Sequence, residues 1–205
     1  MEILASTIAI VNTFGYGRGM DDRLNRQHWL DAGLERLASH GPQGLRIMAI
    51  AEQLGVTKGS FYWHFDSLQA LITAALKRWE AMDGEALDEV RPIEDPRARL
   101  EALFVQSMQK REAHALYVAL ALSSDADVAA AVRRVSERRL RFLVDSYRQL
   151  GLVASEARPR ALLAYSAYVG ALHLRRQRAR GLNSEKDLAA YVAHAVGTLI
   201  PTRTG

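Results

Sequence analysis

Apolar residues recur at helical spacing in three short segments near the start of the chain. The first segment runs from Asn25 to His40, with apolar positions at i, i+4, i+7 and i+8 and with a glycine and a proline directly after it. The second covers residues 47–54 and is followed by Gly55, whose missing side chain suits a left-handed turn. The third begins after Thr57, whose hydroxyl is expected to cap it. The pattern therefore predicts three short helices in close succession.

Longer apolar stripes fill the rest of the chain. Ser67 is expected to cap a fourth helix that runs to about Asp83 or slightly beyond. Five more helices are predicted at about 96–112, 114–122, 125–150, 155–181 and 184–200. Their starts are marked by Asp95-Pro96, Asp125, Ser155 and the pair Ser184 and Asp187. Because no segment alternates between apolar and polar residues as a strand would, the chain is predicted to be all-α, with about nine helices.

The composition is that of an ordinary globular protein. Of the 205 residues, 49% are hydrophobic and 24% are charged, which excludes a disordered or collagen-like chain. There is no cysteine, so disulfide and thiolate chemistry are excluded. The net charge of +4 arises outside residues 21–80, where seven acidic residues balance seven basic ones. No stretch is apolar enough to span a membrane and no basic residue precedes Arg18 as in a signal peptide, so a cytoplasmic location is expected.

The first residues of the chain differ from the rest. Residues 1–19 carry no helical stripe and end in a glycine-rich run at residues 15–19. We interpret residues 1–20 as a flexible N-terminal extension, with Met20 as an alternative start of the chain. A second interpretation is that Arg18 enters a DNA minor groove.

Residues 50–65 follow the order helix, tight turn, helix. This order is typical of a helix-turn-helix, in which the start of the second helix faces the DNA major groove. Ala51 and Val56 are small or branched, as is required where the two helices cross, and Gly55 occupies the turn. The second helix begins with short or polar residues that can reach bases or phosphates without steric conflict. Its N-terminus adds a favourable partial charge toward phosphate.

The run from Trp29 to Leu71 resembles the DNA-binding domain of the TetR family of bacterial one-component transcriptional regulators. The resemblance covers about a quarter of the chain. It lies in the mutual spacing of Ile50-Ala51, Leu54-Gly55-Val56, Gly59-Ser60, Phe61-Tyr62-Trp63-His64-Phe65 and Leu71. A helix-turn-helix on its own would be weaker evidence.

The resemblance implies a ligand-responsive transcriptional regulator that acts as a homodimer, and most often as a repressor. Residues 21–66 would form a three-helix DNA-binding domain, and residues 67–205 a helical domain that binds a small-molecule effector and forms the dimer. Such a protein would bind a palindromic double-stranded DNA operator and leave it when the effector binds. The sequence itself carries no pattern for a cofactor, a metal or a membrane partner, so none is expected.

The residues expected to contact DNA lie in the second helix of the motif and ahead of the first: Arg46, Thr57, Lys58, Gly59, Ser60, Tyr62, Trp63 and His64. By the resemblance, Tyr62 and His64 would mostly bind phosphate. For Tyr62, contact with DNA and a place in the core are equally open, whereas Phe61 and Phe65 are interpreted as core residues. Trp63 either faces DNA or packs on the fourth helix.

Two positions depart from the pattern of the family. Arg46 stands where the family usually has a serine or threonine that caps the first helix of the motif, although an arginine can instead reach a phosphate. Leu68 stands where the family usually has a lysine that holds the DNA backbone. Losing one phosphate contact weakens binding and lowers its salt dependence, but it does not redirect sequence preference.

Aromatic and methionine residues in the later helices could line an effector pocket. The candidates are Trp79, Phe104, Met108, Tyr117, Phe142, Tyr165 and Tyr168. The tyrosines are favoured because a buried phenol needs a hydrogen-bond partner that a ligand can supply. The alternative interpretation is that all of them are ordinary core residues. Clustered arginines at residues 133–141 and 175–180 suit either an acidic effector or a solvated face.

The last two predicted helices carry small and apolar residues that suit a dimer interface between helices. The candidates are Ala164, Ala167, Ala171, Leu188, Tyr191, Val192, Ala195 and Leu199. The alternative is that both helices pack only within their own subunit. No HExxH, GxSxG or phosphate-binding glycine loop occurs, so an enzyme is not expected. The competing hypotheses are a helical small-molecule binding protein or enzyme that has lost DNA binding, and a constitutively bound DNA-binding protein.

Overall fold

The computed structural model describes residues 24–41, 44–109, 116–118, 120–121 and 123–201. The predicted N-terminal extension, with Arg18 and Met20, lies outside the described residues, as does Pro42. All regular secondary structure in the described part is helical. None of the described helices is long and apolar enough to cross a membrane.

Nine helical segments make up the described part of the chain. They are α1 (Arg26–His40), α2 (Ile47–Gln53), α3 (Lys58–Phe61), α4 (Leu68–Val90), α5 (Pro96–Gln109), α6 (residues 116–118 and 120–121), α7 (Ala126–Gln149), α8 (Ala154–Arg176) and α9 (Glu185–Leu199). The predicted all-α class with about nine helices is confirmed.

The described residues fall into two compact units. The first unit contains the described residues of Met1–Ala81 and Ala119–Val132. The second unit contains the described residues of Met82–Val118 and Arg133–Gly205. Helices α4 and α7 each contribute residues to both units. The domain boundaries expected at residues 20 and 66 stay predictions.

Local hydrogen bonds explain where the first helices begin. Asn25 caps α1 by accepting from the backbone N–H of Gln27, at 2.9 Å. Ser67 caps α4 through the backbone N–H of Ala70, at 3.1 Å, as predicted. Arg46 precedes α2 and its side chain makes no capping bond, in line with the expected loss of a cap. The expected hydroxyl cap from Thr57 is wrong, because the Thr57 backbone carbonyl, rather than its side chain, accepts from α3.

Three of the later helices also begin at the predicted caps, and the predicted helix start at residue 114 lies outside the described residues. Asp95, Asp125 and Ser184 each accept from backbone N–H groups at the starts of α5, α7 and α9. Helix α8 begins at Ala154, one residue before the predicted start, and ends at Arg176 rather than near residue 181. Arg178 has a left-handed backbone with φ of 55°, and this conformation cannot continue the helix.

The core of the first unit is aromatic where α1 meets α3. Trp29 and Phe61 are both fully buried and meet edge to face, with ring centroids 5.3 Å apart. Phe65 stacks on Phe61 with centroids 5.7 Å apart, so the expected core role of these two phenylalanines is confirmed. Gly33 of α1 faces Leu71 of α4, and an added Cβ would lie 3.6 Å from that leucine, in ordinary van der Waals contact.

The second unit packs helices α5, α8 and α9 against one another. Tyr147 of α7 is fully buried, and its hydroxyl donates to the backbone carbonyl of Leu199 at 3.1 Å. Burial raises the pKa of Tyr147 to about 12, so the phenol stays neutral. A buried donor with a partner of this kind fixes the end of α9 against α7.

Candidate nucleic-acid interface and internal cavity

The turn between α2 and α3 has the geometry that its sequence predicts. Gly55 has a φ of 69°, in the left-handed region, and its backbone N–H bonds the carbonyl of Glu52 at 3.1 Å. The next N–H, from Val56, bonds the carbonyl of Ala51 at 2.9 Å. Ala51 is buried at this crossing. The turn therefore fixes the direction in which α3 leaves α2.

The residues expected to contact DNA form an exposed surface at α3. Arg46, Thr57, Lys58 and Gly59 are exposed, and Ser60 and His64 are half-buried. Trp63 is 88% exposed, which excludes the alternative that it packs on the fourth helix. An indole this exposed is uncommon in a soluble protein, because a large apolar side chain is normally withdrawn from water. These residues and Tyr62 are called the α3 surface below.

Tyr62 is packed against the core on one side and is partly exposed to solvent. Its ring packs edge to face on Phe61, with centroids 5.2 Å apart, while the residue remains 51% exposed. The Lys58 ammonium lies 6.0 Å from the centroid of the Tyr62 ring. The ring therefore packs against the core and has a positive charge nearby.

Two further positions define the surroundings of the α3 surface. Met48 of α2 is 62% exposed, and this exposure was not predicted from the sequence. The available signal was its position outside the apolar stripe formed by Ile50 and Ala51. Leu68, in place of the usual lysine, is half-buried at the start of α4. The positive charge at this surface thus comes from Lys58 and Arg46 rather than from the start of α4.

The second unit contains a small cavity of about 30 Å³ between α5, α7 and α8. Three of the predicted pocket residues, Phe104, Tyr165 and Tyr168, line it. The remaining lining residues are Leu103, Ser107, Arg139, Leu143 and Ala164. The cavity in this conformation has room for roughly one water molecule.

The other predicted pocket residues lie apart from this cavity. Trp79 is buried in the first unit, and Phe142 is buried with the Arg91 guanidinium 5.5 Å from its ring centroid. Met108 lines a different, larger groove of about 580 Å³ between α5 and α9. Tyr117 is buried without lining either space.

Tyr117, Tyr165 and Ser136 form a closed set of hydroxyl hydrogen bonds. The two phenol oxygens are 2.8 Å apart, and Tyr165 donates to Ser136 at 2.9 Å. The third side, from Tyr117 to Ser136, is 3.3 Å. Burial raises the pKa of Tyr165, and the neighbouring Tyr117 raises it further, so the Tyr165 phenol stays neutral. From the sequence, a ligand was expected to supply the hydrogen-bond partner of a buried tyrosine. For Tyr165, the protein itself supplies this partner.

Two arginines of α7 converge on one buried carboxylate, which the sequence did not predict. Asp83 of α4 accepts from Arg138 Nη2 at 3.0 Å and also binds Arg139 Nε. The Arg139 guanidinium also lies 5.2 Å from the ring centroid of Tyr168. Burial lowers the pKa of Arg139, but Tyr168 and Asp83 outweigh it and hold this pKa above its ordinary value. Arg133 and Arg141, by contrast, are exposed to solvent.

The predicted dimer residues are mostly directed into their own subunit. Ala164, Ala171, Leu188, Ala195 and Leu199 are buried, whereas Ala167, Tyr191 and Val192 are half-buried. The apolar residues that α8 leaves exposed are different ones, namely Leu162, Leu163 and Leu174. On α9 the exposed residues include Ala189, Ala190, Ala193 and Gly197. Within the described residues, no group of three or more potential ligand side chains could hold a metal ion.

Residues 30–75 match the family model of bacterial regulatory proteins of the tetR family. The chain is 40% identical over 52 residues to the tetracycline repressor protein class D of Escherichia coli, which is 25% of this chain and 24% of that protein. The chain therefore spans about a quarter of the length of the curated relatives it matches.

Solved structures of similar fold extend over most of the chain. A TetR transcriptional regulator from Legionella pneumophila is similar with a TM-score of 0.71 and 15% identity, over 87% of this chain and 99% of that one. The regulator FadR from Bacillus subtilis, solved in complex with stearoyl-CoA, is similar with a TM-score of 0.67 and 14% identity, over 86% and 98%. At these identities the likeness concerns the fold. The match to the tetR family model is confined to residues 30–75, and over most of the chain the similarity to TetR regulators is one of fold.

Proposed function

We propose that the protein is a transcriptional regulator that binds double-stranded DNA through the α3 surface and releases it when a small molecule binds the second unit. The observation that carries this proposal is the exposure of Lys58, on the helix that the Gly55 turn positions, and of Tyr62 and Trp63 directly after that helix. The family match covers this same part of the chain. Such a regulator acts in the cytoplasm, where bacterial DNA lies.

Each part of the α3 surface has a separate role on DNA in this proposal. Lys58 and Arg46 supply charge to phosphates, which gives affinity without sequence preference. Thr57 and Ser60 are short enough to let the start of α3 approach base edges in the major groove. Trp63 offers a flat apolar face to the sugar–phosphate backbone or to a thymine methyl group.

The regulator binds DNA as a homodimer, and the exposed apolar residues of α8 and α9 form its interface. Leu162 and Leu163 are each more than half exposed, and exposed neighbouring leucines mark a surface that a partner covers. Small residues on the exposed face of α9 let a second helix approach closely. A two-fold dimer then reads two half-sites of a palindromic operator about 34–36 Å apart.

Release follows from a difference in affinity of the effector for two conformations. An effector with equal affinity for both shifts nothing, so it must favour a conformation that DNA does not. The fold is shared with a regulator solved in complex with stearoyl-CoA, which supports a ligand site in the second unit of this chain. The repressor role is the simplest outcome, because release on effector binding restores transcription.

The proposal is tested by fluorescence anisotropy with labelled duplexes. The full-length protein is titrated against the DNA that flanks its own gene and against a scrambled duplex, each at two salt concentrations. Specific binding that weakens with salt supports the proposal, with a logarithmic slope of about −0.9 per phosphate contact. Equal, weak binding to a genome-wide pool of fragments and to the scrambled duplex would leave a helical small-molecule binding protein in its place.

Matched variants assign the contacts. Lys58→Ala is expected to lower affinity and to reduce the salt slope by roughly 0.9, whereas the exposed Lys186→Ala in α9 leaves both unchanged. Tyr62→Phe keeps the packing on Phe61 and removes only the hydroxyl, so a loss of affinity in this variant assigns the hydroxyl to DNA. Unchanged binding by Lys58→Ala, Tyr62→Ala and Trp63→Ala together would refute the α3 surface as the interface.

The dimer is tested by sedimentation velocity. Leu163→Glu is expected to convert the dimer to a monomer, because a carboxylate cannot be buried without a partner in the interface. Val153→Glu is the control, since Val153 is as exposed as Leu163 and lies before the first turn of α8. A dimer that persists in Leu163→Glu would place the interface elsewhere.

A further inference from the structure

Arg139 belongs both to the ion cluster at Asp83 and to the wall of the small cavity. Its Nε binds the Asp83 carboxylate, its guanidinium lies 5.2 Å from the Tyr168 ring centroid, and it lines the cavity. The side chain is only 14% exposed. Of the described residues that line the cavity, Arg139 is the one that carries a charge. A buried guanidinium at a cavity wall is a strong binding group for an anion.

Asp83 binds Arg138 as well as Arg139. The same carboxylate also accepts two bonds from Arg138, from Nε at 3.3 Å and from Nη2 at 3.0 Å. Two guanidinium groups therefore share the single negative charge of Asp83. If Arg139 turned to another anion, Asp83 would keep its bonds to Arg138 and would not be left buried without a partner. Exchange of partners at Arg139 is thus less costly than the breaking of an isolated buried ion pair.

The rest of the cavity wall restricts the kind of anion. Leu103, Phe104 and Leu143 are apolar, and Ser107 and the two tyrosines contribute hydroxyls only. One guanidinium balances one negative charge, so a doubly charged phosphate ester would leave a charge without a partner. A carboxylate matches the planar fork of arginine, and an apolar body matches the remaining wall.

We propose that this cavity binds a hydrophobic monocarboxylate. Its carboxylate replaces Asp83 as the ion-pair partner of Arg139, and its apolar body lies against Leu103, Phe104 and Leu143.

The small volume of the cavity is part of the proposal. About 30 Å³ is too little for such an acid, so binding selects a wider conformation of the second unit. Asp83 lies on α4, and α4 begins at Leu68 within the first unit. Loss of the bond between Arg139 and Asp83 therefore removes a restraint on the helix that also belongs to the DNA-binding unit. This step rests on the proposed function, whereas binding of the acid does not.

The first experiment compares acids with their neutral amides by isothermal titration calorimetry on the full-length wild-type protein. Butanoate, octanoate and benzoate are each paired with the corresponding amide. At least one acid is expected to bind at least about tenfold more tightly than its amide, because a charge-assisted pair with arginine is replaced by a neutral hydrogen bond. If no acid exceeds its amide, the proposal is overturned, and this comparison depends on no variant.

Three variants then test the exchange at Arg139 with the acid that binds most tightly. Arg139→Gln is expected to lower its affinity at least about tenfold, whereas Arg141→Gln, on the exposed side of α7, leaves it unchanged. Asp83→Asn is expected to tighten binding, because the competing carboxylate is gone. A purely structural role for the cluster gives the opposite result, since loss of Asp83 would then weaken binding. Weaker binding by Asp83→Asn overturns the exchange, and circular dichroism verifies that each variant is folded.

The effect of the acid on DNA binding is measured separately. Addition of the acid is expected to lower the anisotropy of the labelled duplex with wild type and not with Arg139→Gln. If the acid binds but the protein binds no DNA, the cavity assignment stands and the proposed regulator is refuted. If DNA binds but no acid does, the regulator stands and the cavity assignment is refuted.

Discussion

Gly55 and Gly59 lie four residues apart on the helix-turn-helix, and alanine is expected to affect them in opposite directions. Gly55 has a φ of 69° and an added Cβ would meet nothing within 4 Å, so the effect of alanine there is purely conformational. Gly59 lies within α3 with an ordinary φ, and an added Cβ would meet only Thr57 Oγ1 at 3.6 Å. Neither substitution creates a clash. The sign of each effect therefore depends on the backbone alone.

The magnitudes follow from two competing terms. Alanine in a left-handed conformation destabilises the folded state by about 1–2 kcal/mol. Replacing glycine by alanine also reduces the conformational entropy of the unfolded chain, and this stabilises the protein by about 0.4–1 kcal/mol. Gly55→Ala should therefore lower the free energy of unfolding by about 1 kcal/mol, and Gly55→Asn by less, because asparagine tolerates this conformation better. At Gly59 there is no left-handed term, so alanine should raise the free energy of unfolding by about 0.5 kcal/mol.

Urea unfolding followed by tryptophan fluorescence measures these changes. All three tryptophans, Trp29, Trp63 and Trp79, lie in the first unit, so their emission follows this unit alone. Gly55→Ala is expected to shift the midpoint of unfolding downward and Gly59→Ala upward. The reasoning is refuted if both variants move the midpoint in the same direction.

Two further predictions concern buried ionisable groups. Burial raises the pKa of Glu35, whose carboxylate accepts a hydrogen bond from Gln53 at 2.6 Å. Glu35 therefore binds a proton more tightly in the folded protein than in the unfolded chain. The stability that this proton contributes is lost as the pH rises from the usual range of glutamate through the raised pKa. Glu35→Gln should abolish that loss, and an unchanged dependence of the urea midpoint on pH would contradict it. Tyr147→Phe should lower the free energy of unfolding by about 1 kcal/mol through loss of the bond to the Leu199 carbonyl. Because the folded pKa of Tyr147 is about 12, wild type should also lose stability as the pH rises from about 10 to 12, and a Tyr147→Phe variant with the same alkaline loss would refute this assignment.

The sequence predicts features that depend on neighbouring residues. Ser67, Asp95 and Ser184 each cap a helix by bonds to residues two or three positions away, so their roles can be recognised locally. The turn at Gly55 is local in the same sense. Thr57 shows the limit of this reasoning, because the correct residue at the N-cap position need not use its side chain.

Features that join distant segments could not be predicted in this way. Asp83 and Arg139 are 56 residues apart, and no local pattern distinguishes Arg139 from the exposed Arg141 two positions later. The same holds for the faces of α8. Apolar residues occur on both its buried and its exposed side, so small residues such as Ala164 suggested an interface, whereas Leu162, Leu163 and Leu174 are the apolar residues left exposed. Deciding between two apolar faces requires knowledge of what each face packs against.

The first unit is discontinuous along the chain, and this has a consequence for how the protein is made and recombined. Residues within Ala119–Val132 belong to it, and Gln69 of α4 donates to Asp127 at 2.7 Å across 58 positions. On the ribosome, this unit cannot be completed until about two thirds of the chain has been synthesised. A chimaera that takes only the helix-turn-helix and α4 from this protein would leave that segment behind, so a transferable cassette must carry residues 119–132 or substitute for them.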